Sequence, residues 1–252
     1  MDGGNGFTRS SEETEIHGAK ALVRSLEVRR LGLVPYDEAL AMQRQLVEER
    51  RAGRIPDLLL LLQHPPVITL GVKGDGGRAN IVATDERLAE LGITVQETGR
   101  GGDVTYHGPG QIVGYPIVDL RPDRCDVHRY VRDLEDVMIR VCADYGVTAG
   151  RIQGLTGTWV GAEKIGAIGV RLSRWITSHG FAFNVSTNLD HFKLIVPCGI
   201  SDRGVTSLER ATGRRLDTGQ VEDAVVRHFE DTFDRQLVRA SSTTAAFQAL
   251  NE

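Results

Sequence analysis

After Tyr36, residues Leu40, Gln43, Leu46 and Val47 fall along one helical stripe, with Glu48, Glu49, Arg50 and Arg51 mostly on its outer side, and this spacing predicts a helix. Two short apolar runs follow at 58–63 and 67–70, separated by Pro65–Pro66, which interrupts any continuous helix or strand. Thr84 is placed to cap a short helix that runs through Leu91 and is closed by Gly92. Residues 112–120 read as a strand with a glycine inside it. Asp126 opens the clearest helix, with Val127, Tyr130, Val131, Leu134, Val137, Met138 and Val141 on its apolar face and Gly146 beyond its end. Three β-like segments come next at 157–160, 164–171 and 176–185. Their short links suggest an antiparallel meander. Thr218 is expected to cap a last helix in which Val221, Ala224, Val225, Phe229 and Phe233 share a face.

Strands and helices are thus mixed without a regular βαβ alternation or an internal repeat. The expected class is α+β, with helices packed on a mixed, mostly antiparallel sheet in a single domain. Residues 1–24 and 239–252 are polar and aperiodic and are expected to be loose tails around a folded body at 25–238. The start of the chain lacks a basic stretch followed by an apolar one, and the longest apolar run, 58–62, is too short to cross a bilayer. A cytoplasmic protein with no membrane partner is the expectation. A net charge of −4 argues against binding nucleic acid through bulk positive charge. Cys125, Cys142 and Cys198 are far apart and form no CxxC pair, so neither a disulfide framework nor a zinc site is expected.

Three segments could carry chemistry. Cys198 sits between Pro197 and Gly199, a sharp turn in which the backbone can approach a ligand, whereas Cys125 and Cys142 read as filler. A nucleophilic thiol must lose its proton, and from a free pKa of about 8.5 it needs a base or cation close by. Lys164, with glycines on both sides in GAEKIGAIG, is a candidate partner; its plain alternative is an exposed strand lysine. An ammonium would stabilise the thiolate, and desolvation would lower the lysine pKa enough for proton exchange. The third segment, at 100–111, combines four glycines with Thr105, Tyr106, His107 and Arg100, as a loop whose amides can line a polar ligand. It has neither the Gly-Lys-Ser/Thr ending of a Walker loop nor the GxGxxG spacing of a dinucleotide fold.

The strings RGGDVTYHGPGQ, GAEKIGAIGV, HGFAFNV and PCGISDRGVTSL, in this order, resemble the octanoyl-acyl-carrier-protein:protein octanoyltransferases over residues 26–233. That family is similar in fold to the lipoate and biotin protein ligases. The resemblance implies that Cys198 forms an acyl thioester and that Lys164 lowers its pKa and relays protons. It further implies a substrate wall of Arg100, Gly101, Gly102, Asp103, Val104, Thr105, Tyr106 and His107, then Ala167, Ile168 and Gly169, then Gly180, Phe181 and Ala182. Val104, Ile168, Phe181 and Ala182 could line an acyl channel or serve as ordinary core. His64 and His179 are either polar neighbours of the site or structural histidines. The implied donor is octanoyl-acyl-carrier protein. The implied acceptors are the lipoyl domains of 2-oxoacid dehydrogenase complexes and the glycine cleavage H protein, with no cofactor. An ATP-dependent lipoate- or biotin-type ligase is the rival reading, and it has no use for a nucleophilic cysteine.

Overall fold

The computed structural model describes residues 24–72, 78–196 and 203–238. The chain begins with strand β1 (Arg24–Leu33), helix α1 (Tyr36–Arg51), and strands β2 (Asp57–Gln63) and β3 (Val67–Leu70). It continues through α2 (Asp85–Glu90), β4 (Thr94–Glu97), β5 (Val104–His107), β6 (Gln111–Ile117) and α3 (Val127–Asp144). Strands β7 (Gly150–Ile152), β8 (Leu155–Val160), β9 (Glu163–Ser173) and β10 (Ile176–Asn184) follow, then α4 (Leu208–Thr212), α5 (Thr218–Phe233) and β11 (Arg235–Val238).

Eight strands form one mixed sheet in the order β11-β1-β2-β6-β10-β9-β8-β7, and three form a smaller sheet in the order β4-β3-β5. The pairs β1/β11, β1/β2 and β3/β4 are parallel and the rest antiparallel. The expected α+β class and the 8–9–10 meander are both present. Strand β2 explains why the apolar run at 58–62 does not alternate. Leu59 and Leu61 enter the core under α3 and α5, and Leu58, Leu60 and Leu62 enter a second core under α1. A central strand with helices on both faces has no solvent side.

Helix α3 begins where expected, the Asp126 carboxylate accepting from the amides of His128 and Arg129. Its buried face runs Tyr130, Leu134, Val137, Met138 and Val141, with Val127 exposed at the first turn. Thr84 caps α2 through the Arg87 amide. In α1 the buried stripe is Tyr36, Ala39, Gln43 and Leu46, and Leu40 and Val47 flank it at half burial. Two boundaries move. The strand expected over 112–120 ends at Ile117, leaving Asp119 as a single bridge to Ile176. The cap of α5 is Asp217, which accepts from the Gln220 amide, and Thr218 is the first helical residue. No described helix is long and apolar enough to cross a membrane.

Candidate active site

A cavity of about 500 Å³ lies on the α1 face of the large sheet, walled by β6, β9 and β10, by β5 of the small sheet, and by residues 189–196 and 203–205. Backbone contacts draw the two sheets together here. The Gly101 amide donates to the Val170 carbonyl at 3.0 Å, and a Cβ at Gly169 would stand 2.9 Å from the Gly101 carbonyl, so the approach requires glycine.

Arg100 is buried and its guanidinium clamps strand β3. Nη2 donates to the Thr69 carbonyl (2.7 Å) and hydroxyl (2.9 Å), and Nη1 to the Gly101 carbonyl (3.1 Å). Next to it, His107 Nδ1 donates to Gln111 Oε1 at 2.7 Å, and Gln111 Nε2 donates on to Asn184 Oδ1 at 2.9 Å. Asn184 Nδ2 then reaches the Thr206 carbonyl at 3.0 Å. This run of side chains ties the glycine loop to β6, β10 and the segment after Arg203.

Lys164 stands at the start of β9. Its amide donates to the Gly204 carbonyl and its carbonyl accepts from the Thr206 amide, both at 2.9 Å. Its Nζ lies 4.8 Å from the ring centroid of Trp159, the cross-strand partner of Lys164 on β8, and the guanidinium of Arg203 approaches the same ring at 5.8 Å. An aromatic face attracts cations, so the buried indole fixes a place for both. One residue earlier, Glu163 pairs with Arg210 at 3.5 Å.

Three histidines stand around the inner end. His64 donates from Nδ1 to the Val34 carbonyl (2.7 Å) and accepts at Nε2 from the Tyr115 hydroxyl (2.8 Å). It is a satisfied structural histidine and does not line the cavity. His179 does line it, at a φ of 54°, with its amide held by Gln43 Oε1 at 2.7 Å and no hydrogen-bond partner for its Nδ1. Burial pushes the pKa of His64 and His179 down to about 4 and that of His107 to about 3, with His64 and then Arg100 adding to the depression at His107.

Of the residues expected at the site, Arg100, Gly102, Asp103, Val104, Thr105, His107, Lys164, Ala167, Ile168, Gly169, Gly180, Phe181 and Ala182 line the cavity. Gly101 and Tyr106 do not. Gly101 serves as the backbone link to β9, and Tyr106 is buried in the small sheet's core, bonded through its hydroxyl to His191 Nδ1 at 2.7 Å. Val104, Phe181 and Ala182 also belong to the packed cores, so they are wall and core at once. Cys198 lies outside the described residues. The wall further includes Tyr36, Val113, Tyr115, Trp159, Asn184 and Arg203, which the sequence reading left out. Only Trp159 carried a usable signal, because the meander already set β8 beside β9. Among the described residues, no group of three His, Cys, Asp or Glu is arranged to hold a metal ion.

Comparison with known proteins gives this geometry a setting. Residues 35–230 match the family model of the lipoyl protein ligase A/B catalytic domain. An octanoyltransferase of Myxococcus xanthus is 54% identical over 224 residues, covering 86% of this chain and 62% of that protein. An octanoyltransferase of Solibacter usitatus is 51% identical over 224 residues, covering 89% of this chain and 100% of that protein. The chain therefore spans less than two thirds of the first relative and the full length of the second. Among solved structures, the bipartite lipoate protein ligase of Thermoplasma acidophilum superposes with a TM-score of 0.66 at 16% identity, over 89% of each chain. That likeness shows a shared fold.

Proposed function

The chain belongs to the lipoyl protein ligase A/B catalytic-domain family, among its octanoyltransferases, and we propose that it carries an octanoyl group from an acyl-carrier-protein thioester to a lysine of a lipoyl domain through a thioester on Cys198. Such acceptors are found in 2-oxoacid dehydrogenase complexes and the glycine cleavage H protein. The observation that supports the reading is that Lys164 lines the same cavity as Val196 and Arg203, the described residues on either side of 197–202, the stretch of sequence that includes Cys198.

In the first step the Cys198 thiolate attacks the octanoyl carbonyl. The bond to the carrier sulfur breaks, and the carrier thiolate takes a proton from the Lys164 ammonium. One thioester replaces another, so the step is near balance and requires no ATP. In the second step the acceptor lysine, as a free amine, attacks the acyl-enzyme and gives its proton to Lys164. The Cys198 thiolate leaves and a stable amide remains. That last exchange drives the cycle.

The oxyanion formed in each step needs donors aimed at it. Along β9, Val170 accepts from Gly101 on the edge turned away from β10. Two residues earlier Ile168 presents its amide to the same edge, and β8 pairs with β9 only as far as Gly166. The Ile168 amide is the donor we assign within 167–169.

Intact-protein mass spectrometry after mixing the chain with octanoyl-carrier protein, without ATP, tests the scheme. The expected result is an octanoyl adduct that hydroxylamine removes, that passes to an added lipoyl domain, and that Cys198→Ser abolishes. Lys164→Ala is expected to form it at least 100-fold more slowly. Modification of the lipoyl domain only when ATP and free octanoate are supplied would replace this reading with a ligase.

A further inference from the structure

We propose that Glu135, a buried carboxylate on α3, is a positioning residue for Lys164, acting through Gly157; the inference rests on the role given to Lys164 above. Glu135 is fully buried on the face of α3 that packs against β8 and β9. A carboxylate removed from water survives there only if every oxygen is bonded. Oε2 accepts from Arg132 Nη1 and Arg151 Nε, each at 2.7 Å. Those two arginines neutralise it. Oε1 is directed elsewhere, to the Gly157 amide at 2.9 Å.

Gly157 adopts a φ of 118°, a conformation that side chains rarely take. Its Cα faces the stem of Lys164. A Cβ there would stand 3.4 Å from Lys164 Cε, 3.6 Å from Cδ and 2.5 Å from the Gly166 carbonyl. The register of β8 against β9 slips just beyond, between Thr158 and Trp159, and after the slip Trp159 pairs with Lys164. The hydrogen bond from Glu135 therefore fixes the irregular stretch of β8 that both flanks the Lys164 methylenes and carries the indole under its ammonium. Neither strand alone determines where Nζ sits. Proton exchange with a thiol depends on that placement to a fraction of an ångström.

Two substitutions separate this role from a structural one. Glu135→Asp keeps the charge facing Arg132 and Arg151 but is one methylene too short to hold Gly157 as well. Glu135→Gln keeps an oxygen for the Gly157 amide and loses the charge. The readout is the pH dependence of iodoacetamide alkylation at Cys198, resolved by peptide mass spectrometry to separate it from reaction at the exposed Cys125. Thermal stability is measured in parallel, and Lys164→Ala serves as calibration. Loss of a neighbouring ammonium raises a thiol pKa, so Lys164→Ala slows alkylation at neutral pH about tenfold or more.

Glu135→Asp is expected to reproduce most of that slowing, and Glu135→Gln to stay within about twofold of the parent while losing more thermal stability. Reactivity and stability then rank the two variants in opposite orders. If reactivity instead follows stability, or if both variants keep the parental profile while Lys164→Ala shifts it, Glu135 does not position Lys164. A profile that Lys164→Ala itself leaves unmoved overturns the reading of Lys164, and this inference falls with it.

Discussion

Burial keeps the histidine rings at the inner end of the cavity uncharged. His64, His107 and His179 lie there with Tyr36 and Tyr115, whose rings stand about them at centroid distances of 5.1 to 6.4 Å. Burial is the main cause of each depressed pKa, and the Arg100 cation adds to it at His107 and His179. Neutral rings also fit the hydrogen bonds seen. The Tyr115 hydroxyl, whose pKa burial raises, keeps its proton and donates it to His64 Nε2. The consequence for stability has a definite sign. Each folded pKa lies below the unfolded value of about 6.5, so the unfolded chain takes up protons first as the solution is acidified. The contribution of these neutral rings is complete above about pH 6.5 and is lost between there and about pH 4 for His64 and His179, and down to about pH 3 for His107. Melting temperature should be nearly flat from pH 8 to 7 and fall steeply below 6.5, and His64→Gln should flatten that fall. An equal acid response in the parent and in His64→Gln would remove His64 from that account.

Helix ends show how far local chemistry reaches. Asp217 and Thr218 are both good capping residues, and the pattern of apolar positions in α5 fits either start. The Asp217 carboxylate takes the cap by accepting from Gln220, so Asp217→Ala should cost about 1 kcal/mol in denaturant unfolding and Thr218→Ala much less. The opposite ranking would restore Thr218 as the cap. Elements with their own signal were legible in this way: α3 from its stripe and Asp126, and β8 to β10 from three runs with short links. Strand β1 was not legible, because in RSLEVRRLGL only Leu26 and Glu27 are buried and the polar residues outnumber the apolar ones. Strand β11 is four residues long with two of them exposed. Both are strands because they pair in parallel beside β2, which is tertiary context. The same division holds at the site. Lys164 and the loop at 100–107 stand within distinctive local strings, whereas Tyr36, Tyr115 and Trp159 reach the cavity from α1, β6 and β8 and look locally like ordinary core.

At the scale of the molecule, the last described strand is tied to α1, β2 and the segment after β6 through one buried carboxylate. Asp57 opens β2. Its Oδ1 accepts from Arg50 Nε at the end of α1 (2.7 Å) and from the Asp119 amide beyond β6 (3.0 Å), and its Oδ2 accepts from Arg235 Nε on β11 (2.8 Å). Asp57 and Arg235 side chains are each 1% exposed, so neither charge can turn to water if the other is removed. Arg235 also donates to the Phe233 carbonyl at 2.7 Å, closing the end of α5 onto the strand that follows it. The end of α1, the start of β2, the segment after β6 and strand β11 are therefore held together by one side chain. Breaking a buried pair from one side costs about 3–5 kcal/mol, because the surviving charge keeps its desolvation penalty. Asp57→Ala should lower the melting temperature by on the order of 10 °C, and Arg235→Met by a similar amount. The double variant should lose less than the sum, since it leaves no stranded charge between these two residues. Strictly additive losses would mean that the two groups stabilise the edge independently, and that β11 is held by its backbone ladder to β1 alone.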